Sequence, residues 1–158
     1  MILVTVGTQK FQMDRLLKAV DELACSGTLD ETFFIQSGHS TYAPQHCQYA
    51  SFLKKEEMEE KMEQCSILLS HAGVGTILMG LKRGKKVIVV PRLQKFGEHV
   101  DDHQIEIAES FAKAGYIKMV SDTAVLAEEI DRCKDWTPRV FESNKDKFNR
   151  LVLDLLAQ

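Results

Sequence analysis

The groups best suited to chemistry in this 158-residue chain lie together in Ser70-His71-Ala72-Gly73-Val74-Gly75-Thr76. They follow a short apolar run, Ser66 to Leu69, that reads as a buried strand, and precede apolar residues at Ile77, Leu78 and Leu81 that read as a helix ending near Gly84. A strand, a glycine-bearing turn and a helix N-terminus together suit an anion. The first-turn N–H groups lack intrahelical partners, the helix dipole presents its positive end, and glycine lets a phosphate approach the backbone. Thr76 adds a hydroxyl and His71 an imidazole. The bland alternative is a threonine-capped turn with His71 bonding the turn backbone.

Three more groups follow strand-like runs. Gly7-Thr8 comes after Ile2–Val6, and Ser37-Gly38 after Thr32–Gln36. Glu98, His99, Asp102, His103 and Gln104 come after Lys86–Pro91. Because His99 and His103 are four apart, one helix face could offer both imidazoles to a metal, although the stretch starts in a loop. Asp102 reads equally well as a charge favouring a helix N-terminus.

The elements that must position these groups alternate between two periods. Val4, Ile35, Leu68 and Ile88 sit in short continuous apolar runs, as expected of strands covered on both faces. Gln48–Phe52 and Tyr116–Val120 read as further strands. Phe11–Leu23 reads as a helix, with Met13, Leu16, Leu17, Val20 and Leu23 on a helical period closed by Gly27. Lys54–Gln64 is a charged helix with Met58 and Met62 inward, and its charge run reads as a solvated face. Asp101–Ala114 is a helix stopped by Gly115, Thr123–Cys133 a shorter one, and about 139–157 a closing helix with an apolar stripe through Phe148, Leu151 and Leu155. That stripe suits core packing or a docked partner. The alternation predicts an α/β fold, a Rossmann-like parallel sheet with helices on both faces. In such a sheet all four turns lie on one edge, where ligands bind.

A chain of this length makes one domain, 1–158. A formal charge of −3 argues against nucleic-acid binding through a basic surface. The start, Met1–Val6, lacks the pattern of a signal peptide, and four scattered cysteines read as reduced thiols, so a cytosolic setting is expected.

Val6-Gly7-Thr8 with Phe11, the Ser70–Thr76 motif, Val87–Pro91 and Asp102-His103-Gln104, in this order, resemble the C-terminal domain of family 28 glycosyltransferases. Within that family the chain is similar to small cytosolic subunits of two-part enzymes. These include the eukaryotic N-acetylglucosaminyltransferase of lipid-linked oligosaccharide synthesis. Through Pro91–Gln104 they also include bacterial capsule and exopolysaccharide subunits that form β-1,4 linkages. The resemblance implies the nucleotide-sugar lobe of a GT-B enzyme, needing no metal or cofactor, with a UDP-sugar (hexose or uronic acid) as donor. The other lobe would be a membrane-anchored partner holding a lipid-diphosphate-linked acceptor, which keeps this chain at the inner face of the membrane. A lone lobe exposing its cleft is expected to associate with itself when the partner is absent.

On the same footing, His71, Ala72, Gly73, Gly75 and Thr76 would hold the diphosphate. Asp102, His103 and Gln104 would meet the sugar, Ser37 and Gly38 would lie near the base or ribose, and Gly7 and Thr8 would face the acceptor side. His71 and His103 are the candidates for catalysis, with the base otherwise on the partner. One departure stands out: the family's ribose-binding glutamate, three residues after the motif threonine, is here Met79. Either another group such as Glu98 takes the ribose or nucleotide binding is weakened, the latter favouring a non-catalytic module that binds nucleotide-sugar or props up its partner.

Overall fold

The computed structural model describes residues 1–142 together with Arg150, Leu153 and Asp154. Of the closing helix expected over about 139–157, residues 143–149, 151–152 and 155–158 lie outside the described residues. In chain order the elements are β1 Ile2–Thr5, α1 Asp14–Ser26, β2 Phe33–Gln36, β3 Gln48–Ala50, α2 Lys55–Gln64 and β4 Ile67–Ser70. There follow α3 Val74–Lys82, β5 Lys86–Val89, α4 His103–Lys113, β6 Lys118–Met119 and α5 Leu126–Asp135.

All strand pairs are parallel, in the order β3-β2-β1-β4-β5-β6. The apolar runs form the strands because both sheet faces are covered. Ile2, Val4, Leu69 and Ile88 face one core with Leu16, Leu17 and Val20 of α1 and Leu126, Ile130 and Cys133 of α5. Leu3, Leu68, Val87 and Val89 face the other, with Met62 of α2, Ile77 and Leu81 of α3, and Ala108 and Phe111 of α4. The chain first winds outward from β1 to β3, then returns to lay β4 on the other side of β1. At this reversal the loops after β1 and β4 diverge to opposite faces and leave a crevice above the strand ends.

Three boundaries depart from the sequence expectation. Helix α1 starts at Asp14, later than the apolar period suggests, because Arg92 draws the carbonyls of Phe11 and Gln12 away from helical pairing. The last strand shrinks to Lys118–Met119, an edge pair on β5. The helix expected from Thr123 opens with a 3-10 turn, Thr123–Val125, whose Ala124 N–H donates to the Asp122 carboxylate.

The long connection between β2 and β3 is tied to α1 by two carboxylates. Asp14 accepts from the N–H groups of Thr41 and Tyr42, and Asp21 from the Tyr42 hydroxyl, Gln45 N–H and His46 N–H. Burial pushes the Asp21 carboxyl up, but those hydrogen bonds outweigh it and hold the group down at about 2. Asp21→Ala is therefore expected to lose about 3 kcal/mol at neutral pH in urea unfolding. Because the folded pKa lies below the ordinary 3.8, wild type keeps this advantage above that pH and loses it as the pH falls to about 2.

Candidate functional site

At the reversal, β4 ends in Ser70 and the chain turns through His71, Ala72 and Gly73 into α3. Gly73 is the N-cap residue and supplies no side-chain cap, so the N–H groups of Val74, Gly75 and Thr76 head a helix whose first turn is open. The first intrahelical bond runs from Ile77 N–H to the Gly73 carbonyl, at 3.0 Å. A cleft of about 830 Å³ lies over this turn, lined by Gly7 and Thr8 from the loop after β1 and by His71, Gly73, Gly75 and Thr76.

His71 forms the floor at the junction of the two loops and is 5% exposed. Its ring lies against both glycines: a Cβ on Gly7 would come within 2.5 Å of Nε2, and one on Gly73 within 2.2 Å of Cε1. Gly7 also has φ +76, a backbone conformation open mainly to glycine. Nδ1 lies 3.3 Å from the Gln104 amide nitrogen, whereas Nε2 is buried with no hydrogen-bond partner among the described residues. Burial, reinforced by the Arg92 guanidinium, pushes the His71 imidazole down to about 4, so it is neutral at physiological pH. With the ring hemmed by both glycines, Gly73→Ala is expected to destabilise the fold by about 2 kcal/mol in chemical denaturation. Gly75 is different, since a Cβ there meets nothing within 4 Å.

Behind this wall the other expected residues do structural work. Ala72 and Gln104 are buried, and the Gln104 carbonyl oxygen accepts from the N–H groups of Ala72 and Arg92, each at 3.1 Å. Ser37 and Gly38 lie behind Gly7, donating to the carbonyls of Ala50 and Ser51, and a Cβ on Gly38 would come within 2.6 Å of the Gly7 oxygen. Glu98 is fully buried. Its carboxylate takes both Nε and Nη2 of Arg15, each at 3.0 Å, and the Leu93 N–H at 2.9 Å, so it is not part of the cleft lining. Asp102 accepts from Gln94 N–H and lines a separate hollow of about 680 Å³ with Arg15, Pro91 and Phe96. His103 bonds Glu106, and His99 bonds Asp101 while stacking on Phe11. The metal alternative therefore finds its groups on different partners. Among the described residues no three His, Cys, Asp or Glu side chains are grouped to hold an ion.

A family model, the glycosyltransferase family 28 C-terminal domain, matches residues 1–156. The chain belongs to that family. UDP-N-acetylglucosamine transferase subunit ALG13 of Mus musculus is 31% identical over 123 residues, 72% of this chain and 10% of that protein. The subunit of the same name from Candida glabrata is 38% identical over 88 residues, 54% of this chain and 42% of that protein. The match thus spans between about a tenth and about half of the length of the curated relatives. Among solved structures, the glycotransferase of kitacinnamycin superposes with a TM-score of 0.65 at 18% identity, covering 85% of this chain and 34% of that one. The solution structure of ALG13 superposes at 0.61 and 17% identity, covering 99% and 96%. These likenesses support the Rossmann-like GT-B lobe expected from the motifs.

This family 28 domain also brings to its cleft residues that spacing alone did not single out. Leu53, Lys55, Met58 and Glu59 enter from α2 and its approach, and Lys82 and Arg83 from the far side of α3, beside the Met79 already noted. The charge run of α2 therefore has one face on the cleft. Topology carries the missing signal: α2 follows β3, whose carboxyl end lies on the same sheet edge. Arg83 bridges the two helices by pairing with Glu59 at 3.9 Å and Glu63 at 3.1 Å. Among the described residues no helix is long and apolar enough to cross a membrane.

Proposed function

We propose that this chain is the donor lobe of a two-part glycosyltransferase, binding a UDP-sugar in the cleft between β1 and β4. The observation that carries the proposal is the convergence of an open helix N-terminus, two glycines and the unpartnered buried Nε2 of His71 at the strand reversal. The diphosphate would lie over Gly73–Thr76 with Thr8 opposite, and Lys55 and Lys82 on the rim favour an anion. The base and ribose would extend towards Leu53, Met58 and Met79.

The reaction is a single displacement. An acceptor oxygen bonds to the anomeric carbon as the bond from that carbon to the phosphate oxygen breaks. The electron pair leaves with UDP, the acceptor proton passes to a base, and the configuration inverts. The chain's part is electrostatic: fixed N–H donors stabilise the charge that grows on the departing diphosphate. His71 sits beneath that charge as a donor, and His103 stands outside the cleft lining, so the base is assigned to the partner. That partner is a membrane-anchored chain presenting a lipid-diphosphate-linked acceptor, with this chain at the cytoplasmic face. The relatives' names favour N-acetylglucosamine as the sugar. A hexose or uronic acid added in β-1,4 linkage to a capsule or exopolysaccharide precursor is the second reading, carried by the Pro91–Gln104 segment.

Calorimetric titration of UDP, UDP-N-acetylglucosamine, UDP-glucose and UDP-glucuronic acid, into the chain alone and into the co-purified pair, tests this. Saturable binding is expected, with the tightest sugar naming the donor. Absence of binding by both preparations would refute the donor-lobe reading.

A further inference from the structure

We propose that Gln104 is a positioning residue that fixes the tautomer of His71, making Nε2 a standing N–H donor beneath the cleft. The role of that donor rests on the donor-lobe reading above; the tautomer itself does not. Two backbone N–H groups, from Ala72 and Arg92, converge at 3.1 Å on one atom of the Gln104 side chain. Only a carbonyl oxygen can accept both, so the orientation of the amide is set and its nitrogen faces His71 Nδ1 at 3.3 Å. An amide nitrogen donates and offers no lone pair. Nδ1 must therefore be the acceptor, and the single proton of the neutral ring sits on Nε2. The opposite tautomer would press N–H against N–H.

The surroundings hold the ring in that one state. The charged groups acting on it are Arg92 and His99, both of which oppose a second proton, while burial does so more strongly. The Glu98 carboxylate, which could have favoured a charged ring, is bound to Arg15 and the Leu93 N–H. Nε2–H in turn finds no acceptor among the described residues. A buried donor left unmatched is costly, and a phosphate oxygen over Gly7 and Gly73 would satisfy it. His71 thus acts as a neutral donor at physiological pH. Its only lone pair, on Nδ1, is engaged with Gln104, so it does not serve as a base.

Gln104→Glu separates positioning from packing. A carboxylate oxygen still accepts both backbone N–H groups, but the second oxygen now requires a proton on Nδ1. Nitrogen-15 NMR of the imidazoles reads this directly, with His71→Gln used to assign the His71 signals among the five histidines. In wild type, Nδ1 is expected to show an unprotonated shift and Nε2 a protonated one, unchanged from pH 5.5 to 8.5. In Gln104→Glu the Nδ1 signal moves to the protonated range. UDP-N-acetylglucosamine binding should be flat with pH in wild type. In the variant it should fall about tenfold as the pH rises and Nε2 becomes the unprotonated nitrogen. A protonated Nδ1 in wild type, or ring shifts unmoved by Gln104→Glu, would overturn the proposal. Should the variant not fold, the wild-type spectrum decides alone. The expected spectrum in a chain and pair that bind no UDP-sugar would uphold the positioning role while removing the donor-lobe reading.

Discussion

Gly75→Val is expected to lower affinity for UDP by at least about a hundredfold while leaving the protein as stable as wild type. Position 75 is in the first turn of α3, has no positive φ, and leaves open space where a Cβ would stand. Replacing glycine with valine inside a helix is neutral or mildly favourable to the backbone, so no loss of fold accompanies the change. The added branch stands over the N–H groups of the open turn. Keeping a diphosphate from two charge-assisted hydrogen bonds costs about 3 kcal/mol or more, which is the hundredfold. Parallel calorimetry and thermal unfolding check both halves. Unchanged affinity would mean that the anion does not lie on this turn.

The largest effect on stability is expected from Arg92→Met. Arg92 is fully buried, and its guanidinium donates to the carbonyls of Phe11, Gln12 and Glu98, each at 3.1 Å, and also to that of Val6. One side chain thus closes the loop after β1 onto the loop after β5. Gln12 adds a second tie by donating to the Phe96 carbonyl at 2.8 Å. Methionine fills the volume of the stem but leaves four carbonyls without this donor, those of Val6 and Glu98 fully buried. We expect a loss of about 3–5 kcal/mol in urea unfolding and a fall in Tm of roughly 10 °C. The Arg15–Glu98 pair survives, so the loss reports on the carbonyls rather than on an abandoned carboxylate. Loosening this clamp also frees Gly7, so residual UDP binding should weaken in the variant even well below its Tm.

Local pattern and long-range pairing were not equally readable in the chain. The strands were legible because Ile2–Thr5, Ile67–Ser70 and Lys86–Val89 are apolar runs stopped by turn residues, and the parallel sheet followed from their alternation with helices. The glycine turn into α3 was legible because it is contiguous. Gln104 and Glu98 are the opposite case. Their partners, Ala72 and Arg15, lie 32 and 83 positions away, and nothing local tells a carboxylate facing a ligand from one closed on an arginine. The late start of α1 has the same origin, a guanidinium 80 positions downstream. Lys55 and Glu59 were hidden differently. Their run looks uniformly solvated until the order of strands brings one helical face to the cleft.

The position of β1 has a consequence for biosynthesis. Its partners are β2 on one side and β4 on the other, with Ile2 opposite both Phe33 and Ile67. Strand β1 is therefore a central strand whose second neighbour is made roughly 65 residues later, some 3–13 s at ordinary translation rates. Throughout that delay a segment buried at every position in the fold waits without its full complement of neighbours, and the loop between them must close before pairing is rewarded. Nascent chains stalled before Ser66 should thus be captured by chaperones and cut readily by protease. Protection should rise once Leu69 has cleared the exit tunnel.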